Sequence, residues 1–297
     1  MHSLTTTTIS PISRHPFQNN SEQTVLEDNK SYYHQTVIRA EIDQSINWIN
    51  IDAPHFAQHQ VKKDEDLSKN YLKATIVKLK FKFPYYGHLL DQVVVATGGF
   101  IYVGSLMNPL ITKAQYIAPL MANFDPTLNN RTIIKYVDNG THFVCTWENL
   151  VLQDQPENGE YSFQVIFNKD GGIIFNYKKI PNLNISNINH TVKIGLSDAY
   201  IYYKILSTSK IEYTIVQYHV VNVLLENIKT GNSIMFFMLK NCLQLKSCEA
   251  CLKGVGNFKC LWCPVLQRCS DTMDRYRQEW IEASCPVDIN VRDFFLN

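Results

Sequence analysis

The sequence predicts a mostly β chain, built from antiparallel strands and closed by a small cysteine-rich module. Three observations predict it. Apolar and polar residues alternate with a period of two; glycine-bearing turn signals separate consecutive apolar runs; and seven of the eight cysteines crowd between Cys242 and Cys285 in a chain of 297 residues. No sustained period of 3.6 residues occurs before Cys242, which argues against a helical bundle or a parallel βαβ fold.

The clearest strand is Thr75, Val77, Leu79, Phe81 and Phe83 alternating with Lys78, Lys80 and Lys82, one face for a core and one for water. Further runs are Val93–Ala96, Phe100–Val103, Thr132–Val137, His142–Trp147, Tyr161–Phe167, Gly172–Tyr177, Val192–Leu196, Ala199–Ile205 and Tyr213–Leu225. Thr97-Gly98-Gly99, Asp138-Asn139-Gly140 and Lys169-Asp170-Gly171-Gly172 supply the positive φ angles of tight reversals between them. Residues 1–30, poor in large apolar side chains, read as a disordered leader. Residues 31–225 form the β domain, 226–241 a connection, 242–285 the module and 286–297 a tail.

A segment as short as Cys242–Cys285 buries too little apolar surface to offset its conformational entropy, so it needs staples. Two kinds are open. Cys248-x-x-Cys251 and Cys260-x-x-Cys263 could give four thiolates to a structural zinc, in a cytosolic β-domain protein. The gap between those knuckles is short for a zinc ribbon, however, and three more cysteines have no place in a four-ligand site. Disulfides use nearly all of them and call for an oxidising compartment.

Other features limit function. The net charge is +1 and Lys and Arg form no long block, so no nucleic-acid footprint is present. Met1–Asn20 has no apolar core of a secretory signal, and no run approaches the roughly 18–20 apolar residues of a membrane span. The oxidising reading therefore expects the signal and the membrane anchor outside these residues. N-glycosylation acceptors occur at Asn19, Asn29, Asn130, Asn139, Asn184 and Asn189. Asn139 sits in a turn dipeptide.

Catalytic and cofactor patterns along the chain are each incomplete. His55 and His59 have the i, i+4 spacing of a helical zinc site, but Phe56 stands where the catalytic glutamate belongs. Gly99 to Gly104 has the glycine spacing of a phosphate loop, with Ser105 in place of its lysine. No Gly-x-Ser-x-Gly elbow occurs. No enzyme activity and no cofactor are expected.

The run Tyr116-Ile117-Ala118-Pro119-Leu120-Met121-Ala122-Asn123-Phe124-Asp125 resembles the central signature of nidogen-like domains. Ser162-Phe163-Gln164-Val165 through Asp170-Gly171 to Phe175-Asn176-Tyr177 resembles their later hairpin. The cysteine segment resembles the plexin-semaphorin-integrin module. Leu266-Gln267-Arg268-Cys269-Ser270 and Asp274-Arg275-Tyr276-Arg277-Gln278-Glu279-Trp280 are similar to the version found in plexin domain-containing proteins, the tumour endothelial marker family. The resemblance spans about residues 31–288.

That resemblance implies an antiparallel, β-sandwich-like domain followed by the disulfide-rich module, in the extracellular part of a type I membrane protein. It implies a non-catalytic receptor or matrix-interacting protein whose partner is a protein, either a serpin-like factor such as pigment epithelium-derived factor or a basement-membrane component. The family pairs its eight cysteines first with fourth, third with sixth, fifth with seventh and second with eighth. Carried over, Cys242 joins Cys260, Cys251 joins Cys269 and Cys263 joins Cys285. Cys248 is left over, since no cysteine follows Cys285, which suggests a chain that ends early. Cys145 is a distant candidate partner, although its place on the Phe143, Cys145, Trp147 face reads as a small buried hydrophobe.

Overall fold

A computed structural model describes residues 22–26, 31–39, 47–104, 111–188, 190–207 and 210–287. Along the chain lie β1 (Glu22–Leu26), β2 (Tyr33–Ile38), β3 (Lys62–Lys63), α1 (Glu65–Lys69), β4 (Ala74–Tyr85), β5 (His88–Ala96), β6 (Phe100–Tyr102) and β7 (Tyr116–Met121). Then follow β8 (Ile133–Asp138), β9 (His142–Leu150), β10 (Tyr161–Asn168), β11 (Ile173–Lys179), β12 (Lys193–Ser207), β13 (Lys210–Asn222) and β14 (Ser233–Met238). The cysteine module adds α2 (Cys248–Lys253), the hairpin of β15 (Leu261–Cys263) and β16 (Arg268–Ser270), and α3 (Arg277–Glu282).

The strands build two seven-stranded sheets. One has the order β1-β13-β12-β7-β6-β5-β4 and the other β2-β14-β11-β10-β9-β8-β3. All ladders are antiparallel except β1 with β13. The sheets face each other across one aromatic core, the sandwich arrangement of two half-apolar layers. Phe83 of β4 stacks on Phe167 of β10 with centroids 4.6 Å apart. Polar tips of buried aromatics cross between the layers: Trp147 Nε1 donates to the Ala96 carbonyl at 2.9 Å, and the Tyr177 hydroxyl to that of Pro119 at 2.8 Å.

Lys78, Lys80 and Lys82 face solvent on β4 while Val77, Phe81 and Phe83 face the core, as their alternation predicts. Each of the three glycine-bearing signals joins the strands on its two sides. On the second sheet the outer face is also covered. Residues 47–52 run across β10 and β11, where the Gln164 side chain reads the backbone of Ile49 in both directions, accepting from its N–H at 3.1 Å and donating to its carbonyl at 2.9 Å. Asn176 Nδ2 donates to the Asn47 carbonyl at 2.6 Å. Those amides are buried because the strap supplies their hydrogen bonds.

Three expectations are corrected. The expected connection 226–241 contains β14, whose Ile234 and Phe236 point into the core between β11 and β2, so the β domain extends to Met238. The leader residues Glu22–Leu26 form a strand on β13, which offers them an open edge; the rest of the leader lies outside the described residues. The two runs ending at Leu196 and starting at Ala199 belong to one strand, β12, with a register shift between Asp198 and Ala199. His55 and His59, not favoured as a zinc pair from the sequence, lie in a 3-10 turn, Pro54–His59.

Gly195 on β12 has φ +137, and a Cβ there would come within 1.8 Å of the Val221 carbonyl oxygen on β13. That contact is backbone and cannot swing away. Gly195→Ala is expected to lower unfolding free energy by at least about 2 kcal/mol, through backbone strain added to steric conflict, measured by urea denaturation.

Candidate functional site

The module is small but heavily tied. Cys242 joins Cys260, Cys251 joins Cys269 and Cys263 joins Cys285, with Cα separations of 5.5, 5.7 and 5.2 Å. These are the three pairs the resemblance implies. Each closes a loop of 18 to 22 residues, contributing about 3 kcal/mol in the chain-entropy account. Asn241 caps the turn before the first helix in a reciprocal capping box with Gln244, and Ser247 caps α2.

The sulfurs of Cys242, Cys260 and Cys269 lie within 4.8 Å of one another because two disulfides pack together. Sulfur held in a disulfide is not the thiolate that zinc requires. The zinc reading on Cys248, Cys251, Cys260 and Cys263 is therefore corrected: three of its four ligands belong to three different disulfides. Cys248 is exposed at the start of α2, and Cys145 is buried in the sandwich core, where desolvation raises its thiol pKa. The structure does not bring them together.

What the structure does bring together is the face of the module and one end of the sandwich. The loop from Ser270 to Tyr276 is fixed from within: Thr272 N–H donates to Ser270 Oγ at 2.8 Å, Met273 N–H to Asp271 Oδ1 at 3.1 Å, and Tyr276 N–H to Asp274 Oδ1 at 2.8 Å. Arg268 holds the same Asp274 at 2.9 Å and lies over the rings of Tyr276 and Trp280. So braced, the loop presents Asp271, Met273 and Arg275 to the sandwich.

Arg275 enters a tyrosine-lined recess. Its Nε donates to both carboxylate oxygens of Asp198 on β12, at 3.0 and 2.8 Å, and its Nη1 donates to the Val103 carbonyl at 2.7 Å. The guanidinium lies over the Tyr85 ring, 5.5 Å from its centroid. Tyr218 also donates its hydroxyl to Asp198, which is fully buried. Burial opposes the charge on Arg275, but the field and hydrogen bonds of Asp198 outweigh it and raise the guanidinium pKa.

Around this pair, Tyr32 donates to Asp271 at 2.6 Å, and the Tyr86 hydroxyl meets His219 Nδ1 at 2.8 Å. Desolvation, then Asp271, pushes the Tyr32 phenol up; desolvation, then Asp198, does so for Tyr218. Both are held as neutral donors. Gly87, at φ +89 between β4 and β5, lets the module approach: a Cβ there would lie 2.6 Å from Asn241 Oδ1. His88 is buried against Arg275 and Tyr276. A cleft of about 450 Å³ opens beside the junction, lined by apolar Leu239, Val255 and Phe258 and polar Ser31, Lys240 and Asn257.

Of the glycosylation acceptors, Asn130 and Asn184 are exposed. Asn139 is half-buried at the β8–β9 turn, where its side-chain oxygen accepts from Thr141 and His142. Asn19, Asn29 and Asn189 lie outside the described residues. Sequence reasoning did not find the recess. Its one signal was Asp198, a carboxylate interrupting an apolar run.

Removing one partner from a buried, hydrogen-bonded ion pair leaves the other charge uncompensated, at a cost of about 3–5 kcal/mol. Asp198→Ala is expected to lose that much stability in urea denaturation at neutral pH. Lys82→Ala, which breaks an exposed pair with Asp91, should leave the midpoint nearly unchanged.

The family model described as NIDO related matches residues 48–237, and that of the plexin repeat matches residues 241–286. No solved structure matches the chain. Both domains are adhesion- and receptor-type modules typical of extracellular and cell-surface proteins, and the three disulfides speak against the cytosolic alternative. The first match covers well over half of the chain, which therefore belongs to the NIDO-related family and carries a plexin repeat behind its β-sandwich.

Proposed function

We propose that this chain is the recognition part of a cell-surface receptor or matrix-interacting protein that binds a protein ligand without catalysis. The observation that carries the reading is the buried Asp198–Arg275 clamp, which fixes a NIDO-related sandwich on a stapled plexin repeat. A repeat that is held in one orientation can orient the sandwich relative to whatever follows it. A flexible tether would not need a desolvated ion pair and five tyrosines at the joint.

The ligand class follows from the resemblance and from the charge balance. With a net charge of +1 and no basic stripe, the surface suits a folded extracellular protein rather than nucleic acid. A basement-membrane component or a serpin-like factor is the partner proposed. In a complete type I protein the attachment to the membrane is a span outside these residues, with the chain itself on the extracellular side. No helix among the described residues is long and apolar enough to cross a membrane. The four acceptors Asn130, Asn139, Asn184 and Asn189 are proposed to carry glycans.

The test is to express the chain through the secretory pathway, map its glycopeptides and measure binding to immobilised basement-membrane proteins and to a secreted serpin. The expected result is glycan at these acceptors and saturable binding to one of the two classes. A secreted, folded chain that binds neither would contradict the ligand assignment. Retention of unglycosylated protein would contradict the extracellular one.

A further inference from the structure

We propose that the junction between the sandwich and the plexin repeat is an acid-sensitive latch, closed while the His88 imidazole is neutral and released as the surroundings acidify.

The geometry requires the neutral ring. His88 opens β5 and lies 5 % exposed beneath the module, its ring edge-on to Tyr276 with centroids 5.1 Å apart. The backbone N–H of Arg275 points at His88 Nε2 at 3.4 Å, a long hydrogen bond in which Nε2 is the acceptor, as it is in the neutral ring. A protonated imidazole has an N–H at both nitrogens and would set a donor against a donor. It would also place a second cation beside the Arg275 guanidinium.

Among the described residues, the carboxylate that acts on His88 is already paired. The charged groups that act on His88 are Arg275, Arg268 and Lys246 of the module, all cationic, and Asp198 of β12. Asp198 is already committed to two hydrogen bonds from Arg275 and one from Tyr218. Burial first, and then the charge of Arg275, holds the docked imidazole down to about 3.

The sign of the effect follows by linkage. An undocked His88 has the usual value of about 6.5, so between roughly pH 3 and 6.5 the open form binds the extra proton. Docking is fully supported above about pH 6.5 and weakens as pH falls below it. From pH 7.4 to 5.5 the shift toward the open form is about tenfold. The recess has this property because the ring's partners Arg275 and Tyr276 both belong to the module.

Hydrogen exchange of the full glycosylated chain at pH 7.4 and 5.5, rescaled for intrinsic exchange rates, tests the latch. The expected result is about a tenfold loss of protection in segments 84–91 and 271–280, with β9 and β10 unchanged. In His88→Gln, whose amide oxygen is an acceptor that does not titrate, that acid response should disappear. His219, also at the junction, is separated by this variant. Equal protection at both pH values, or an unaltered response in His88→Gln, overturns the proposal. Should that variant fail to fold, an NMR titration of His88 in the unmodified chain decides: ordinary titration near 6.5 with the junction still closed overturns the latch, and opening coupled to its protonation supports it.

Discussion

The Asp198–Arg275 ion pair is the constraint on which the relation between the two domains depends. Burying two charges costs several kcal/mol per ion, recovered only when geometry and additional hydrogen bonds are good. Here Arg275 meets both oxygens of Asp198, donates to the Val103 carbonyl and lies over Tyr85, while Tyr218 adds a further donor to the carboxylate. Such an arrangement adds little net stability over an apolar filling. It adds selectivity of position, because a small displacement of the module would leave both charges desolvated and unpaired.

Everything else at the joint serves that placement. The disulfides keep a module with little core of its own in one shape, and the Ser270–Tyr276 loop, tied by Asp271 and Asp274, carries Arg275 at its end. On the sandwich side, β12 carries Asp198 at a register shift against β13, and the carboxylate finds its partner in the other domain. Phe258 and Met273 of the module join the same apolar core as Tyr32 and Tyr218. The two family domains thus share a core, and the polar recess lies within it.

Much of the fold was legible because local patterns were strong. The lysine and apolar alternation of β4 and the Asp138-Asn139-Gly140 reversal carry their structure in a few residues. β7 was not legible as a strand, since Tyr116–Met121 is buried on both faces and shows no alternation. β14 was missed because its apolar run follows the long loop after β13, and what fixes it is pairing with β2, far back in the chain. The junction was less legible still. Asp198 and Arg275 are 77 residues apart, and neither has a local motif that announces the other. Sequence similarity singled out Asp274–Trp280 as a signature; the role of Arg275 within it is visible only in three dimensions.

The shared buried joint makes sandwich and plexin repeat one cooperative unit. Differential scanning calorimetry of the oxidised chain at pH 7.4 tests it most directly. A single transition is expected, with calorimetric and van't Hoff enthalpies that agree. Two resolved transitions, one for each domain, would contradict it.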